Sequence, residues 1–548
     1  MKSRMTLCAA GLSQLVFVSA IVAQQGAPLL TYRELIQLYQ QDVPPRPLQL
    51  KLNHLLTTPF VSNQAAAAGC LPLKPVSTEF GKFLRVAQWN IERGLEFDAV
   101  MLAFTDSRRF TALMENKGSK ASAEERTRIA EQIGILKAAD VVVLNEVDWG
   151  MNRTLFRNVA AQLASAFGMN YAYGVEFVEV DPITMGLDQR ILIREVEQTY
   201  AEPGATKAQT IAHIKRVMRP DPARYHGLHG TAILSRYRLE NVQLLPFKFQ
   251  GHDWYLDEKK KESDFAKLQG KASDTLFKEQ MIRQVRRGGR MMLLADIVDR
   301  ELPSGRVTVV ATHLEDVTSP KNRRQQLDEM LDRIRNINHP VILAGDMNTS
   351  THDAMPISMS RAIKQRIGSG KWWAEEGATS ALKYGTPAGW IYDASFGAIG
   401  FARKVDDPTE HSILLLGENA EAKFFVDLDK FRFADGAYFD FRGESERSSN
   451  GRGGKLADSN QRGEKGFAPT DELGKTSGPL GQYKLDWIFV RPAAQSGYRF
   501  APHFGRTLKE LNFGIPGRIS DHSPITADLP FREPPMAGGK LRTISLAR

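Results

Sequence analysis

The stretch Val141-Val142-Val143-Leu144-Asn145-Glu146-Val147-Asp148 joins an aliphatic run directly to polar residues. A short apolar run rich in β-branched residues, bounded by polar residues, is typical of a buried β-strand. The amide and carboxylate side chains then fall where the strand leaves the core. We therefore predict a strand here that presents Glu146 at one edge of a sheet.

Seven further apolar runs of this kind are spread along the chain, separated by helical or loop stretches. They are Leu84–Trp89, Thr231–Leu234, Met291–Val298, Val307–Ala311, Val341–Ala344, Leu485–Val490 and Pro524–Ala527. Strands that alternate with helices indicate an α/β or α+β class.

Polar clusters adjoin six of the eight runs. Four runs end on Asn90 and Glu92, on Asn145, Glu146 and Asp148, on Thr312, His313 and Glu315, and on Gly345, Asp346 and Asn348, whereas Asp486 and Ser520-Asp521-His522 stand where two runs begin. In a mixed sheet, the ends of some strands and the beginnings of others share one rim, so the six clusters can converge on one cleft. Each cluster also has a structural interpretation, because Asp and Asn after a strand often cap a helix or close a turn.

The residue types in these clusters suit phosphate-ester hydrolysis. Attack on a phosphodiester needs cations to neutralise the growing charge, a base to activate water and stabilisation of the leaving oxygen. Carboxylate and amide oxygens without sulfur are hard ligands, which favour Mg²⁺ or Mn²⁺ over zinc. A histidine accepts a proton near neutral pH, and an adjacent carboxylate orients its ring.

Seven motifs, in order between about Phe83 and Leu529, resemble the endonuclease/exonuclease/phosphatase superfamily of DNase I-like enzymes. They are Trp89-Asn90-Ile91-Glu92, Asn145-Glu146-Val147-Asp148, Gly230-Thr231-Ala232-Ile233-Leu234-Ser235, Thr312-His313-Leu314, Gly345-Asp346-Met347-Asn348, Leu485-Asp486-Trp487-Ile488 and Ser520-Asp521-His522-Ser523-Pro524. The resemblance implies a four-layered sandwich of two packed mixed β-sheets flanked by helices, with a metal site at one rim. Asn145 stands where many relatives have Gln, and Glu92 where Asp is common.

The resemblance also implies residue roles. The implied metal ligands for Mg²⁺, or alternatively Mn²⁺, are Glu146, Asn90, Glu92 and Asp521. The first implied catalytic residue is His522, as general base or as the group that stabilises the pentacovalent phosphorus, and Asp486 orients it. Asp346 and Asn348 are implied to position water and phosphate, and His313 to donate to the phosphate or leaving group. The implied phosphate-binding residues are Asn90, Asn348 and His313.

The N-terminus indicates export. Lys2 and Arg4 precede an apolar run, Met5–Val22, and cleavage after Ala23 fits a secretory signal peptide, with a borderline transmembrane anchor as the alternative. Removal of this leader leaves no membrane span, and it leaves Cys70 as the one cysteine, which excludes an internal disulfide and a thiolate zinc cluster. We expect a monomer that is secreted or periplasmic.

The predicted domain map has four parts. They are a leader (1–23), a helical extension and linker (24–80), the superfamily domain (81–530) with insertions near 180–225 and 351–483, and a C-terminal tail (531–548). The glycine-rich stretch Gly443–Gly481 predicts a mobile loop within the second insertion.

Three functions are compatible with the sequence. A nuclease is favoured by the net charge of +9, by the basic stretch 283–290 and by Lys321–Arg324, although solvated surfaces carry similar runs. Trp372 and Trp373 would stack on a base or belong to the core. A phosphodiesterase or phosphatase for lipid headgroups or small phosphate esters is the alternative, and a non-catalytic binding module is the third.

Overall fold

A computed structural model describes most of the chain. The described residues are 26–117, 120–181, 209, 212, 220–259, 284–349, 422–441, 444–449, 470–472, 482–493, 500–515 and 518–532. The predicted leader (1–23), Trp372, Trp373 and most of the C-terminal tail lie outside them. No helix among these residues is both long and apolar enough to cross a bilayer.

Two mixed sheets form the centre of the molecule. The first contains β1 (Phe60–Ser62), β2 (Val76–Ser77), β3 (Gly81–Arg93), β4 (Val141–Trp149), β5 (Asn170–Glu179), β6 (Leu228–Ser235), β8 (Arg286–Gly288), β15 (His503–Thr507) and β16 (Ile525–Pro530), and its main order is β1-β5-β6-β4-β3-β16-β15. The second contains β7 (Leu239–Pro246), β9 (Met291–Val298), β10 (Arg306–His313), β11 (Val341–Asp346) and β14 (Asp486–Arg491), in the order β14-β11-β10-β9-β7. A short pair, β12 (Asp471–Glu472) and β13 (Gln482–Tyr483), stands apart.

Helices cover the outer face of each sheet. The helices are α1 (Tyr32–Gln40), α2 (Arg46–Thr57), α3 (Gln64–Ala67), α4 (Phe97–Thr105), α5 (Ser107–Lys117), α6 (Ala123–Lys137), α7 (Val159–Phe167), α8 (Pro320–Ile334), α9 (Ala422–Lys430) and α10 (Lys509–Phe513). Local signals set several of their ends: Thr31 with Glu34 and Ser122 with Glu125 form capping boxes, and Gly168 ends α7 in the left-handed conformation.

The buried side chains form three layers. One core lies between the first sheet and its helices, a second lies between the two sheets, and a third lies between the second sheet and α8 with α9. In β4 the side chains divide by strand alternation, so that Val142 and Leu144 join the first core and Val141 and Val143 join the second. The predicted sandwich of two helix-flanked mixed sheets is confirmed.

All eight predicted strands are present, together with several strands that were not predicted, of which β5 is the longest. This ten-residue strand is buried along its whole length, so it shows no alternation of apolar and polar residues. It carries Glu176 and Glu179 inside the protein, and these two acidic residues interrupt an otherwise mostly aromatic and aliphatic segment.

The N-terminal segment forms the predicted helices and also joins the first sheet. α1 and α2 are separated at Val43–Pro45, because proline cannot continue a helix and restricts the residue before it. β1 then pairs antiparallel with β5, opposing Phe60 to Tyr173. The side chain of Phe60 packs edge-on against Trp149, with ring centroids 4.8 Å apart. The segment is therefore part of the core.

Replacing Phe60 by alanine tests this integration. The side chain is 3% exposed, so we expect the free energy of unfolding to fall by about 3–5 kcal/mol. Leu71→Ala, in the same segment but 78% exposed, is the matched control and should change it by less than about 0.5 kcal/mol. Denaturant unfolding measures both, and equal effects would contradict the integration of the segment.

The second predicted insertion contributes to the outer layer of the second sheet. Within it, α9 packs Phe424, Phe425 and Leu428 into the third core, against Trp487 of β14. Most of the first insertion and most of Gly443–Gly481 lie outside the described residues.

The strand directions bring the six clusters to one rim. β3 and β4 are parallel, and β16 runs antiparallel beside β3 with Ile525 opposite Gln88. β10 and β11 are parallel, and β14 runs antiparallel beside β11 with Asp486 opposite Asp346. Strand ends and strand beginnings therefore meet as predicted, at an edge that both sheets share.

Candidate active site

Irregular backbone turns the acidic side chains of β3 and β4 towards this rim. The pairing register shifts between Asn90 and Arg93 and again between Leu144 and Val147. Inside these bulges Glu92 and Glu146 have φ values of 45° and 52°. Left-handed backbone costs a non-glycine residue about 1–2 kcal/mol and clusters at functional sites. Glu92 and Glu146 therefore lie on locally strained backbone at the ends of β3 and β4.

Asn90 connects the carboxylates of the two sheets. Its Nδ2 donates to Glu146 Oε1 and to Asp346 Oδ2, both at 3.1 Å. Its Oδ1 accepts the backbone N–H of Glu92 at 3.1 Å. Asn90 is fully buried and Glu146 is half-buried, so this group opens to solvent on the Glu146 side.

His522 lies between two buried carboxylates. Its Nδ1 is 2.7 Å from Asp486 Oδ2, and its Nε2 is 3.7 Å from Asp346 Oδ2. Trp89 Nε1 and Asn512 Nδ2 both donate to the His522 carbonyl and fix its backbone. Asp486 therefore holds the ring through Nδ1.

These carboxylates change the protonation of His522. Burial disfavours the charged ring, but Asp486 and Asp346 outweigh it and raise the pKa of His522 above its usual range. For the Asp346 carboxyl, burial disfavours the charged form and so raises the pKa, although His522 opposes that shift. These two carboxylates favour the positively charged form of the ring. A cation beside Asp346 would lower both pKa values, because it favours the carboxylate and disfavours the imidazolium.

His313 faces the same space from β10 and is neutral. Its Nε2 is 3.6 Å from Asp346 Oδ2, and burial together with nearby Arg290 holds its pKa well below the usual range. Its Nδ1 has no hydrogen-bond partner within the described residues and lies 3.9 Å from Glu176 Oε2. A neutral imidazole carries one N–H, which can donate to a phosphate oxygen.

Two buried amide side chains that were not predicted as site residues brace the site. Gln88 Nε2 donates to Asn145 Oδ1 at 3.1 Å and to Asp486 Oδ1 at 2.8 Å. Asn145 also accepts the backbone N–H of Asp346 and donates to the carbonyl of Thr312, which ties the first sheet to the second. Gln88 sits within an apolar run next to a quoted motif, and a polar residue there is the signal that could have identified it.

Glu176 was missed together with its strand. It accepts hydrogen bonds from Thr231 Oγ1 and from Arg290, the latter at 2.9 Å, and it faces His313. Its aromatic and aliphatic neighbours predict that Glu176 is buried. Because a buried carboxylate requires polar partners, an acidic residue in such a segment could have indicated a buried polar site.

The oxygens around Asn90 fit a hard divalent cation. Glu146 Oε1 and Asp346 Oδ2 each lie 3.1 Å from one amide nitrogen, and the backbone N–H of Glu92 binds the oxygen of the same amide. Donor atoms of Asp346, Asp486 and His522 also lie within 4.8 Å of one another, but the short His522–Asp486 contact already occupies two of these groups. The Glu146 side is therefore the better fit for a metal.

The remaining candidates lie beside this group. Asn348 has φ 48°, and its Nδ2 donates to the carbonyl of Leu314 at 2.8 Å. Asp521 is half-buried next to Ser520, whose hydroxyl donates to the carbonyl of Asn90 at 2.7 Å. All nine residues proposed from the sequence thus belong to one rim.

Most arginines of the two basic stretches have internal partners. Arg287 donates to the carbonyls of Leu38 and Gln41, and Arg290 pairs with Glu176 and Asp316. In the second stretch, Arg323 donates to the carbonyls of Glu315 and Thr318, and Arg324 pairs with Asp427. These four side chains therefore bind other groups of the protein. In the first stretch Arg286 differs from them, because its Nε has no hydrogen-bond partner within the described residues.

Comparison with known proteins identifies the family. The model of the endonuclease/exonuclease/phosphatase family matches residues 87–522, a span that contains every one of these rim residues. The chain belongs to the endonuclease/exonuclease/phosphatase family. It is accordingly a phosphoric ester hydrolase, and the family generally depends on a divalent metal.

Solved structures of this family resemble the chain at low identity. An endonuclease/exonuclease/phosphatase from Beutenbergia cavernae is 16% identical, with 83% of this chain and 73% of that chain covered and a TM-score of 0.36. A 3′-5′ exonuclease from Neisseria meningitidis is 12% identical over 81% and 99%, with a TM-score of 0.35. The human Nocturnin catalytic domain is 14% identical over 81% and 92%, with a TM-score of 0.33. No curated protein sequence matches the chain significantly.

Asp486→Asn tests the orientation of His522 in this family member. Loss of the carboxylate removes the largest favourable partner of the imidazolium, so we expect the pKa of His522, followed by NMR titration, to fall. Turnover should decrease by about 10–100-fold, the usual effect of removing a group that orients a catalytic ligand. Asp332→Asn, a 71% exposed side chain on α8, is the control. An unchanged pKa of His522 would contradict the assigned contact.

Proposed function

We propose that the chain is an exported, Mg²⁺-dependent nuclease that acts as a monomer and hydrolyses phosphodiester bonds by attack of water. The observation that carries this proposal is the continuous polar group from Glu146 through Asn90 and Asp346 to the His522–Asp486 pair. It combines a hard metal site with a proton-transfer pair at one rim, which is what phosphodiester hydrolysis requires.

The metal side of the site is assigned to four residues. Glu146 is the principal ligand, Asn90 and Glu92 assist it, and Asp521 approaches from the segment before β16. A bound Mg²⁺, or Mn²⁺ in its place, supplies positive charge that neutralises the phosphate oxygens. Half-exposure of Glu146 and Glu92 leaves the position accessible to a substrate phosphate.

The proton-transfer side is assigned to His522 and the groups around it. His522, held by Asp486 at 2.7 Å, takes the proton from the attacking water or, when charged, stabilises the pentacovalent phosphorus. Asp346 and Asn348 position the water and the phosphate. Neutral His313 donates its N–H to the phosphate or to the leaving oxygen.

Nucleic acid is the favoured substrate because the chain is basic. The full chain has a net charge of +9 and an isoelectric point near 9.3, and loss of Lys2 and Arg4 with the leader leaves a charge of +7, which still favours a polyanion. Arg287, Arg290, Arg323 and Arg324 contribute little to this preference, because they are bound internally. The preference therefore depends on basic residues other than these four.

A substrate panel tests the proposal. Purified protein with Mg²⁺ is incubated with plasmid DNA, single-stranded DNA, RNA, sphingomyelin, inositol phosphates and bis-(p-nitrophenyl) phosphate. We expect cleavage of nucleic acid that weakens between about 50 and 200 mM salt, because phosphate contacts release counterions. Turnover of sphingomyelin or an inositol phosphate with nucleic acid untouched would instead establish the lipid-headgroup or small-ester alternative.

Export is tested separately. When the full chain is produced in a bacterial host, mass spectrometry of the protein from periplasm or medium should show an N-terminus at Gln24. Replacing the apolar run 5–22 by a charged sequence should retain the protein in the cytoplasm. Recovery of the unprocessed chain from the cytoplasm alone would contradict export.

A further inference from the structure

Thr470 lies between the two segments that carry the His522–Asp486 pair. Its Oγ1 accepts hydrogen bonds from the backbone N–H groups of Leu485 and Asp486, at 3.0 and 3.3 Å. Its carbonyl oxygen accepts the backbone N–H of Ser523, the residue after His522, at 2.6 Å. One residue thus binds the backbone beside both members of the pair.

These contacts are shielded from water. Thr470, Leu485 and Asp486 are fully buried, and Ser523 is 1% exposed. A buried backbone N–H requires an acceptor inside the protein, because leaving it unpaired is unfavourable. Since the hydroxyl of Thr470 is the acceptor for two such groups, it fixes the backbone position of Asp486.

The residue after Thr470 extends this junction. Asp471 forms an antiparallel bridge with His522, and its side chain is 3% exposed. In the short pair of β12 and β13, Asp471 also lies opposite Tyr483, two positions before Leu485. The segment that begins at Thr470 is therefore paired on one side with the chain that leads into Asp486 and on the other with the chain at His522.

The other contacts of Asp486 come from the two sheets. The carbonyl of Leu485 accepts the backbone N–H of Met347 at 2.9 Å. Asp486 Oδ1 accepts a hydrogen bond from Gln88 Nε2 at 2.8 Å, which leaves Oδ2 for the imidazole. These contacts hold Asp486 to the sheets, and Thr470 adds the connection to the segment that carries the imidazole.

We propose that Thr470 is a positioning residue for catalysis, which keeps the carboxylate of Asp486 in hydrogen-bond contact with the imidazole of His522. It acts through Asp486, and it belongs to the second predicted insertion, which thereby supplies a part of the active site. The inference rests on the proposed function, because that function gives His522 its part in proton transfer.

Thr470→Val tests the contact kinetically, because valine has nearly the shape of threonine but cannot accept a hydrogen bond. With the substrate that the wild type cleaves, we expect kcat to fall by about 10–100-fold, the usual effect of losing a group that orients a catalytic side chain. KM and the Mg²⁺ concentration for half-maximal activity should stay within about twofold, since the substrate and the metal do not contact Thr470.

Two further variants separate the hydroxyl from the bulk of the side chain. Thr470→Ser keeps the hydroxyl, so kcat should stay within about threefold of the wild type. Thr526→Val is the matched control, because Thr526 on β16 is also fully buried but its hydroxyl has no hydrogen-bond partner within the described part of the chain. Equal losses of kcat in Thr470→Val and Thr526→Val would contradict the positioning role.

A double-mutant cycle separates positioning from a general loss of stability. If Thr470 acts through Asp486, Thr470→Val should lower kcat by less than about twofold more in the Asp486→Asn protein, because residues that act through one contact are not additive. A second full loss in that background would mean that Thr470 acts independently of Asp486, and the proposal would be wrong.

Proton NMR of metal-free protein with ¹⁵N-labelled histidine gives a readout that does not need turnover. The Nδ1–H of His522, 2.7 Å from Asp486 Oδ2, should give a low-field resonance that is absent from His522→Ala. We expect this resonance to move upfield or broaden in Thr470→Val and to persist in Thr470→Ser and Thr526→Val. Thr470→Ala, which leaves space beside the two N–H groups, replaces Thr470→Val if that protein does not fold.

The two proposals fail in different ways. If the wild type cleaves no substrate but the resonance changes in Thr470→Val and not in Thr526→Val, the proposed function is wrong and Thr470 still positions the pair. If substrates are cleaved and Thr470→Val has the kcat and the His522 resonance of the wild type, the positioning role is wrong and the function stands.

Discussion

Alanine in place of His522 should lower kcat/KM for phosphodiester cleavage by about 10²–10⁴-fold, the usual contribution of a positioned acid–base group. Asp486 and Asp346 hold the ring at 2.7 and 3.7 Å, so its removal eliminates both the proton acceptor and the cation that can face the phosphorus. Initial rates with bis-(p-nitrophenyl) phosphate and with DNA measure the effect.

The control for this variant is another histidine. His54→Gln changes an exposed side chain on α2 and should leave turnover within about twofold of the wild type. Circular dichroism and thermal unfolding show whether His522→Ala retains the fold. A folded His522→Ala protein with wild-type turnover would remove His522 from the catalytic group.

Glu146→Gln should produce the second large loss, through the metal. The substitution keeps the size of the side chain but removes the negative charge that faces Asn90 Nδ2 at 3.1 Å. We expect the Mg²⁺ concentration for half-maximal activity to rise by about 100-fold or more, since changes merely next to metal ligands already weaken binding 10–100-fold. Turnover measured over a Mg²⁺ titration tests this.

Glu124→Gln separates the loss of a metal ligand from a general change of charge. Its side chain, on α6, is 79% exposed and remote from the rim. Its metal dependence should match that of the wild type. Equal Mg²⁺ dependence of Glu146→Gln and Glu124→Gln would mean that the principal ligand lies elsewhere.

The convergence of the site could be predicted because strands obey simple geometry. The apolar runs before Asn90 and Asn145 are parallel neighbours, and the run that begins at Asp486 is antiparallel to the one that ends at Asp346. The direction of a buried strand determines the edge of the sheet at which its last residue lies. Local patterns were therefore enough to place Glu146, Asp346 and His522 in one group.

The parts that sequence could not supply depend on partners distant along the chain. Glu176 can be buried because Arg290, 114 positions later in the chain, donates a hydrogen bond to it. The sequence around either residue gives no indication of this pairing. Arg287 resembles a phosphate-binding side chain until its contacts with the Leu38 and Gln41 carbonyls are seen. β1, with three residues, is too short for any periodicity, and only its pairing with β5 makes it a strand.

Anomalous diffraction from crystals soaked in Mn²⁺ tests most directly whether the six clusters surround one divalent cation. The expected result is a strong peak about 2.0–2.4 Å from a Glu146 carboxylate oxygen, within reach of Asn90 and on the Asp346 side of the rim. No peak at the rim with saturating Mn²⁺, or a peak that persists there unchanged in Glu146→Gln, would contradict the metal centre and the catalytic assignment that depends on it.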